Sequence, residues 1–320
     1  MANLTQPNSG ENTPIHEENI AKVSEILLGG NIFIIPTETV YGLAANALDD
    51  KAVSKIYEAK GRPSFNPLIV HISNIEKAKE FVIVSKVAER LTKAFWPGPL
   101  TIVLPKKDDC LISNIVSAGL DTLAIRAPRH PIAQAILEKS NLPLAAPSAN
   151  ISGTISPTHA SHITPELLKK VHGAIDGGPC DIGLESTIVK VDEDKIIILR
   201  PGSIGHEDLM EATGLPVEIY KGSDITSPGQ LTRHYAPSSN LRLNAFNAME
   251  GEVMIGFGAI DGDMNLSISG NLTEAGANLF KMLKEADAAP EAGISVAPIP
   301  FEGIGFAIND RLERAAEKEE

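Results

Sequence analysis

Two basic side chains, an amide and an imidazole lie within twelve residues of one another: Lys60, Arg62, Asn66 and His71. They follow the hydroxyl-rich sequence PTETVYGLAANA at residues 36–47. Cations and hydrogen-bond donors beside hydroxyls suit an anionic ligand that is rich in oxygen, such as a nucleotide. Neither a packed core nor a DNA-reading helix needs this mixture, so the segment predicts a small-molecule site.

Further polar residues follow apolar runs later in the chain. TLAIRAPRHP at residues 122–131 puts Thr122 and Arg126 on one face of a predicted strand, because an even offset keeps side chains on the same side. Other polar strand ends occur in LAAPSANISG (144–153), GLESTIVKV (183–191) and IIILRPGSI (196–204), which contain Ser148, Ser186 and Arg200. A surface salt bridge is the simplest interpretation of any one of these arginines. Their recurrence beside hydroxyl-rich loops favours a ligand site, since ligands bind at strand ends.

Several other kinds of site are disfavoured by spacing. The sequence has no Walker A loop, and no helix is predicted directly after GFGAIDG at residues 256–262, so we predict a turn there. His159 and His162 lie in a predicted loop without a cysteine partner, which disfavours a metal site. Ser148 and Ser186 lack a GxSxG elbow, which disfavours a serine nucleophile. Phosphate binding must then come from side chains and scattered backbone amides.

The composition predicts a globular protein with an acidic surface. The chain has 320 residues, of which 43% are hydrophobic and 22% charged, and a formal net charge of −13. Two domains are therefore expected, and wholesale binding to a nucleic-acid backbone is disfavoured because it needs a basic surface. Cys110 and Cys180 are widely separated and are expected to be reduced. The polar N-terminus and the lack of an apolar run of about 18–20 residues predict a cytoplasmic protein without a membrane segment.

Helices and strands alternate irregularly, which predicts a mixed α/β sheet rather than a doubly wound one. Before residue 214, the periodicity predicts strands at 31–35, 68–73, 100–104, 122–126, 143–146, 186–191 and 195–199, and helices at 50–60, 85–95, 131–139, 165–172 and 207–213. The last part predicts a compact β-α-β-α unit, with strands at 252–257 and 294–298 and helices at 273–286 and 303–317.

Residues 221–240 are rich in Ser, Pro and Gly, which indicates a linker between the two domains. Arg233, His234 and Tyr235 lie together in the middle of this segment. A passive spacer needs no such cluster. Composition alone leaves open whether the segment docks on the first domain.

The ordered set of motifs resembles the YrdC-like L-threonylcarbamoyladenylate synthase family in its longer, two-domain form. The resemblance covers residues from about 15 to 318 and rests on PTETVYGLAANA, KGRPSFNPLIVHI, FWPGPLTIVL, TLAIRAPRHP, PSANISG, GLESTIV, ILRPGSI, SPGQLTRHYAP and IPFEGIGFAINDRLERAA. Gln230 and Asn309 depart from the family's usual residues at positions that do not look chemical. The resemblance implies an α/β fold, with a YrdC-like twisted mixed sheet and surrounding helices, followed by a smaller Rossmann-like α/β domain.

The implied domain limits are 1–213 for the catalytic domain, 214–240 for a linker that closes over the active site, and 241–320 for the C-terminal domain. The implied reaction converts L-threonine, bicarbonate or CO2, and ATP into threonylcarbamoyl-adenylate and pyrophosphate. The product is labile, so the resemblance also implies a downstream transferase that modifies tRNA. Direct contact with tRNA is left open.

The resemblance also implies roles for individual residues. The L-threonine site would consist of Thr39, His71, Arg126, Ala146 and Ser186. The ATP site would consist of Arg62, Asn66, Thr122, Ser148, Ser156, Arg200 and His234. Lys60 and Arg62 would be the catalytic cations near the phosphates, and His234 and Tyr235 would form a lid. Mg2+ would be held by the phosphates and have no protein ligand.

Two other functions are weighed against this one. A non-enzymatic RNA-binding or ribosome-assembly module could use exposed arginines, but the acidic composition and the lack of an RRM or KH signature disfavour it. A relative that transfers carbamoyl groups during hydrogenase maturation would carry an acylphosphatase-like domain and cysteine-rich zinc motifs. Two cysteines in the whole chain disfavour that relative.

Overall fold

The computed structural model describes residues 17–222, 228, 234–290 and 293–317. Gln230 and Arg233, which the sequence places in the linker motif, lie outside these residues. The described part contains two sheets, one in each predicted domain, with helices packed around them.

The first sheet has nine strands in the described residues and mixes parallel with antiparallel pairs. Its strands are β1 (Phe33–Ile35), β2 (Gly42–Asn46), β3 (Ile69–His71), β4 (Leu100–Pro105), β5 (Thr122–Arg126), β6 (Leu144–Ala145), β7 (Thr187–Val191), β8 (Ile196–Arg200) and β9 (Val217–Ile219). Their spatial order is β1-β2-β6-β3-β5-β4-β7-β8-β9. The pairs β3–β5, β4–β7 and β8–β9 are parallel, and the other neighbours are antiparallel. This architecture confirms the predicted mixed sheet.

The helices of the first domain surround this sheet. They are α1 (Glu17–Leu28), α2 (Asp50–Lys60), α3 (Ile75–Ala78), α4 (Lys86–Phe95), α5 (Pro131–Ser140), α6 (Pro165–Leu168) and α7 (His206–Thr213), with a 3-10 turn at Ala160–His162. Helix α2 has a defined start and end: the Asp49 side chain accepts a hydrogen bond from the Lys51 amide, and Gly61 ends the helix with φ of 61°. The left-handed turn at Gly61 puts Arg62 directly beyond the helix, beside Lys60 at its last position.

The second sheet is formed by four parallel strands in the described residues. They are β10 (Asn240–Arg242), β11 (Glu252–Gly256), β12 (Met264–Asn265) and β13 (Gly293–Val296), in the order β10-β13-β11-β12. Helices α8 (Leu272–Asp287) and α9 (Gly305–Ala316) complete the domain. The predicted β-α-β-α unit is confirmed, and β10 and β12 add to it.

The two domains share part of a hydrophobic core. Val40, Ile155 and Leu184 of the first domain belong to the same buried cluster as Tyr235 and Phe280. This cluster joins the C-terminal domain to the loops that follow the strands of the first sheet. None of the helices in the described residues is long and apolar enough to cross a membrane.

The structure differs from the sequence-based prediction in three helices and strands. Gly42–Asn46 forms strand β2, which is absent from the strands that the periodicity predicts. The helix predicted at 165–172 ends at Leu168, because the chain beyond it pairs with β1: the Ile34 amide donates to the Gly173 carbonyl at 2.9 Å. Strand β9 pairs with β8 and extends the first sheet to Ile219, within the predicted linker.

Candidate active site

A small cavity lies between the strand ends of the first sheet and the segment before the C-terminal domain. Its free volume is about 50 Å³. Ten of the residues that the sequence predicts for the site line this cavity: Thr39, Arg62, His71, Arg126, Ala146, Ser148, Ser186, Arg200, His234 and Tyr235. The fold therefore brings together side chains from seven separate segments, as the strand-end argument predicts.

At one end of the cavity, Arg126 is held by three different groups. Its Nε donates to the Gly98 carbonyl at 3.1 Å, and its Nη1 donates to Thr39 Oγ1 at 2.9 Å. Its Nη2 lies 2.7 Å from Glu38 Oε1, and both side chains are buried. The guanidinium is thus fixed in one orientation beneath the hydroxyl of Thr39.

The charge of Glu38 is maintained by this contact. Burial alone would raise the pKa of the Glu38 carboxyl, but the charge and hydrogen bond of Arg126 outweigh burial and hold that pKa below its usual value. The pair is therefore ionised at neutral pH. A buried ion pair of this kind keeps a cation available beside the cavity without leaving an isolated charge.

His71 lies beside Arg126 because β3 and β5 are parallel, and the two residues are direct neighbours in the register. Burial, aided by the positive charge of Arg126, lowers the pKa of His71 to about 3. The imidazole is consequently neutral at physiological pH. Its Nδ1 is buried and has no hydrogen-bond partner among the described residues.

At the other end of the cavity, Arg62 is anchored to the segment that follows α2. Its Nη2 donates to Asn66 Oδ1 at 2.7 Å and to the Pro67 carbonyl at 2.8 Å, and its Nε donates to the Asn66 carbonyl at 3.1 Å. Burial lowers the pKa of Arg62 to about 10, so it stays charged at neutral pH. The amide Nδ2 of Asn66 is buried without a partner in the described part of the chain.

Lys60 is buried behind the cavity wall and does not line the cavity. Its Nζ donates to the carbonyls of Ser148 and Asn150, at 2.6 and 2.5 Å. Burial and the neighbouring charge of Arg62 lower the pKa of Lys60 well below its usual value. In this conformation Lys60 fixes the loop that carries Ser148.

Arg200 and Ser186 form a third polar group on the cavity wall. Arg200 Nη2 donates to the Ser186 carbonyl at 2.8 Å and to Ser186 Oγ at 3.1 Å. The same hydroxyl lies 2.7 Å from Thr101 Oγ1. The polar contacts of Ser186 and of Ser148, whose Oγ donates to Asn150 Oδ1 at 2.5 Å, involve no histidine within the described residues. This arrangement gives no support to a serine nucleophile.

Ser156 lies near the cavity through its contact with a carboxylate. Its Oγ donates to Glu185 Oε1 at 2.6 Å, and Glu185 lines the cavity. The other oxygen, Glu185 Oε2, accepts a hydrogen bond at 2.9 Å from Nε of Arg311, a residue of α9 in the C-terminal domain. The site is therefore linked to both domains.

His234 and Tyr235 close the cavity on the side of the C-terminal domain. Tyr235 adopts a left-handed conformation with φ of 63°, and its ring packs against Phe280, with 5.4 Å between the ring centres. Burial lowers the pKa of His234 to about 3. The Nδ1 of His234 and the hydroxyl of Tyr235 are buried, and neither has a hydrogen-bond partner within the described ranges. Pro228, the described residue between Gly222 and His234, also lines the cavity.

Thr122 and Arg126, both predicted site residues, lie at opposite ends of the same strand. Thr122 begins β5, four positions before Arg126, and lies opposite Pro105 of β4. At about 3.3 Å per residue, the two are separated by roughly 13 Å along the strand. Thr122 is not among the residues that line the cavity.

Sequence reasoning missed three charged residues of the site as functional candidates. Glu38 stands between two threonines in a segment that the sequence did single out, and this position is the signal that could have found it. The structure adds its buried contact with Arg126. Glu185 directly precedes a predicted strand, but no local pattern indicates its partner. Arg311 lies 126 positions away from Glu185, and an arginine on an amphipathic helix normally indicates a solvated face.

The chemistry of the cavity follows from these contacts. The cations Arg62, Arg126 and Arg200 line the cavity. His71, His234 and Tyr235 also line it and carry buried atoms that have no partner in the described residues, while the unpartnered Nδ2 belongs to Asn66, which contacts Arg62. Buried polar groups are nearly always hydrogen-bonded, so their concentration here indicates that a polar ligand completes the site. The arrangement suits the alignment of two anionic groups.

Comparison with known proteins agrees with this description. The family model Sua5_yciO_yrdC, described as telomere recombination, matches residues 25–202, and a model described as the C-terminal domain of threonylcarbamoyl-AMP synthase matches residues 203–317. The chain is 39% identical to the threonylcarbamoyl-AMP synthase of Pyrococcus abyssi, over 94% of this chain and 95% of that protein. It is also 39% identical to the Bacillus subtilis enzyme of that name, over 94% of each chain. The crystal structure of P. abyssi Sua5 complexed with L-threonine superposes with a TM-score of 0.87 at 37% identity, covering 95% of this chain and 96% of the other.

Proposed function

The chain belongs to the threonylcarbamoyl-AMP synthase family in its two-domain form, and on that premise we propose how its cavity makes threonylcarbamoyl-AMP. L-Threonine, bicarbonate or CO2, and ATP are the substrates, and pyrophosphate is the second product. The observation that carries this proposal is a cavity lined by two groups of cations, one around Arg126 and one around Arg62 and Arg200. Buried polar atoms of the same cavity have no hydrogen-bond partner in the described residues.

We assign the end around Arg126 to L-threonine. Thr39, His71, Arg126, Ala146 and Ser186 would contact the amino acid. The neutral His71 can accept a hydrogen bond from the threonine ammonium through its unpartnered Nδ1 without repelling it. The fixed guanidinium of Arg126 supplies the positive field for the threonine carboxylate.

The end around Arg62 and Arg200 is assigned to ATP. Arg62, Asn66, Ser148, Ser156, Arg200 and His234 are the proposed contacts. Thr122 is proposed to contact the part of ATP farthest from the threonine, because it lies far from Arg126 along β5. Lys60 contributes by holding the Ser148 loop, and its direct contact with a phosphate stays a prediction.

The proposed reaction needs alignment rather than an enzyme nucleophile. The threonine amine adds to CO2 and loses a proton, which gives an N-carboxylate. A carboxylate oxygen then attacks the α-phosphorus, and the bond from that phosphorus to the bridging oxygen of pyrophosphate breaks. Two unit charges about 4 Å apart repel by roughly 4 kcal/mol at an effective dielectric constant near 20, and fixed cations offset this repulsion.

Exclusion of water is the second contribution that we assign to the site. Both the carbamate and the mixed anhydride are open to hydrolysis. His234 and Tyr235 cover the cavity from the side of the C-terminal domain, and the free space of about 50 Å³ has room for only a few water molecules. ATP does not fit that space, so these residues must move to admit it and return before reaction.

Mg2+ is proposed to enter with the triphosphate. Within the described residues, no group of three or more histidine, cysteine, aspartate or glutamate side chains could hold a metal ion. Glu185, which lines the cavity, is already paired with Arg311, and Glu38 is already paired with the cavity residue Arg126. Phosphate oxygens would therefore carry the ion, which lowers the negative charge on the phosphates when bound.

The domain roles are also proposed. Residues 1–213 form the catalytic domain, to which strand β9 adds, residues 214–240 contain the closing segment, and 241–320 form the C-terminal domain. We further propose a cytoplasmic location and a downstream transferase that passes the threonylcarbamoyl group to tRNA. Such a partner is needed because the mixed anhydride is short-lived in water.

Pyrophosphate release tests the proposed function directly. We expect release to require L-threonine and bicarbonate together with ATP, and mass spectrometry to find carbon from labelled bicarbonate in the product. Equal release from ATP alone would contradict the proposal. Tight, steeply salt-dependent binding of RNA without ATP turnover would instead support the RNA-binding module.

A further inference from the structure

Arg311 is a fully buried cation that the proposed reaction does not use directly. It lies on α9 of the C-terminal domain and is 0% exposed. Its partner Glu185 belongs to the first domain and lines the cavity. Replacing a buried ion pair by apolar residues is often neutral or even stabilising, so stability alone does not account for this pair.

The contacts of Glu185 connect Arg311 to the proposed ATP end. Each oxygen of the carboxylate has one close partner: Oε2 accepts from Arg311 Nε at 2.9 Å, and Oε1 accepts from Ser156 Oγ at 2.6 Å. The rotation of the carboxylate is therefore fixed from the C-terminal domain. Without Arg311, Glu185 would be a buried charge free to turn, and the hydroxyl of Ser156 would lose its fixed orientation.

The same guanidinium contacts two further parts of the ATP end. Its Nη2 donates at 2.9 Å to the carbonyl of Pro201, which directly follows Arg200. Its central carbon lies 5.2 Å from the ring centre of Tyr235, a distance at which a cation attracts the face of an aromatic ring. Asp310 completes the set, 2.5 Å from Nη1.

We propose that Arg311 is a positioning residue through which the C-terminal domain completes the ATP end of the site. One planar group contacts the chain at Glu185, Pro201 and Tyr235, and thereby orients Ser156, Arg200 and the closing segment. A lysine in the same place has one compact ammonium and cannot make these contacts together. This inference rests on the proposed function in one respect, the assignment of that end of the cavity to ATP.

The test measures the binding of a non-hydrolysable ATP analogue and of L-threonine separately, by calorimetry. Arg311→Met is expected to raise the Kd of the analogue at least tenfold while the Kd of L-threonine changes less than twofold. The matched control is Arg242→Met, which breaks a two-contact pair with Glu252 inside the same domain. Arg242 does not line the cavity, so both Kd values should stay within twofold of the wild-type values.

A double variant asks whether Arg311 acts through Glu185. In a Glu185→Gln background, Arg311→Met should change the Kd of the analogue by a smaller factor than in the wild type. An equal factor in both backgrounds would contradict action through Glu185. Equal weakening of the analogue and of L-threonine would indicate general damage to the fold and would overturn the proposal.

A second variant and a binding readout cover the case in which Arg311→Met does not fold. If Arg311→Met does not fold, Arg311→Lys decides: a Kd for the analogue raised threefold or more, with L-threonine unchanged, supports the positioning role, and an unchanged Kd refutes it. The readout is binding, so it does not depend on turnover. A wild-type protein that binds both ligands but releases no pyrophosphate would refute the proposed function and leave the test of Arg311 valid.

Discussion

Arg126 divides its guanidinium between a buried carboxylate and a hydroxyl: Nη2 lies 2.7 Å from Glu38 Oε1, and Nη1 donates to Thr39 Oγ1 at 2.9 Å. The side chains of Arg126 and Glu38 are 4% and 2% exposed. The ion pair therefore removes the cost of an isolated buried charge, and Nη1 holds the hydroxyl of Thr39, which lines the cavity. Geometry at the proposed amino-acid end depends on this division.

Thr39→Val should weaken L-threonine binding more than ATP binding. The substitution preserves the shape of the side chain but removes the hydroxyl that is proposed to contact L-threonine, and a hydrogen bond to a charged group contributes about 1.5–3 kcal/mol. The Kd of L-threonine should rise about tenfold, since 1.4 kcal/mol corresponds to that factor. Calorimetry with each ligand measures this, and Thr39→Ser, which keeps the hydroxyl, is the control. A similar loss in both variants would argue against the role of the hydroxyl.

Arg62→Lys should lower turnover by about 10²–10³-fold, the range found when one preorganised donor to a developing charge is removed. A single ammonium cannot hold both Asn66 Oδ1 and the Pro67 carbonyl while facing a phosphate. Arg62→Ala should abolish turnover. Circular dichroism should show an intact fold in both variants.

The control for Arg62 is Arg90→Lys. Arg90 lies on α4, donates to the Thr213 carbonyl and does not line the cavity. Its variant should release pyrophosphate at close to the wild-type rate. Near-normal turnover of Arg62→Ala would refute the phosphate role of Arg62.

Acid should destabilise the protein between about pH 6.5 and pH 3 through His71. The folded-state pKa is about 3, below the unfolded value near 6.5, so in this window the unfolded chain binds a proton that the native chain does not. The free energy of unfolding should therefore fall as the pH falls, by up to about 1.4 kcal/mol per pH unit for this group. His234 has a pKa lowered in the same direction and should add to the slope.

Urea unfolding at several pH values tests this contribution. His71→Asn should reduce the pH dependence of the free energy of unfolding relative to the wild type. Comparing the two proteins removes the contribution of carboxylates, which both share. The same slope in both would show that His71 is already protonated in the folded state near pH 6.5.

Tyr235→Phe should separate ligand binding from stability. The Tyr235 hydroxyl is buried and has no partner within the described ranges, so its removal should leave the Tm unchanged or raise it. If the hydroxyl is reserved for a ligand, the Kd of the ATP analogue should rise. Tyr235→Ala, which also removes the ring packed against Phe280, should cost about 3–5 kcal/mol of stability. A lowered Tm for the phenylalanine variant would contradict this assignment.

The local parts of the site could be predicted from the sequence. Lys60, Arg62 and His71 lie close together in the chain. Gly61, which ends helix α2, lies between Lys60 and Arg62 and fixes how these two are arranged. Arg126 was predicted through the even period of a strand, which the structure confirms as β5. Arguments of this kind need only short-range geometry.

The parts that could not be predicted depend on contacts between distant segments. Strand β2 reads GLAAN and is buried on both faces, so it shows no alternation of polar and apolar residues. Strand β9 has three residues, too few to show a period. The pair of Glu185 with Arg311 joins two domains, and nothing near either residue indicates the other.

The register of two short strands has a consequence for how this chain can tolerate insertions and deletions. His71 and Arg126 are neighbours because β3 and β5 align in one register over three residue pairs. Adding or removing one residue within either strand would turn its following side chains to the opposite face of the sheet. The turn at 192–195 between β7 and β8 carries no such constraint, since no residue of it lines the cavity. Length is therefore restricted most inside strands of three and five residues, while distant turns can lengthen or shorten without moving the reacting groups.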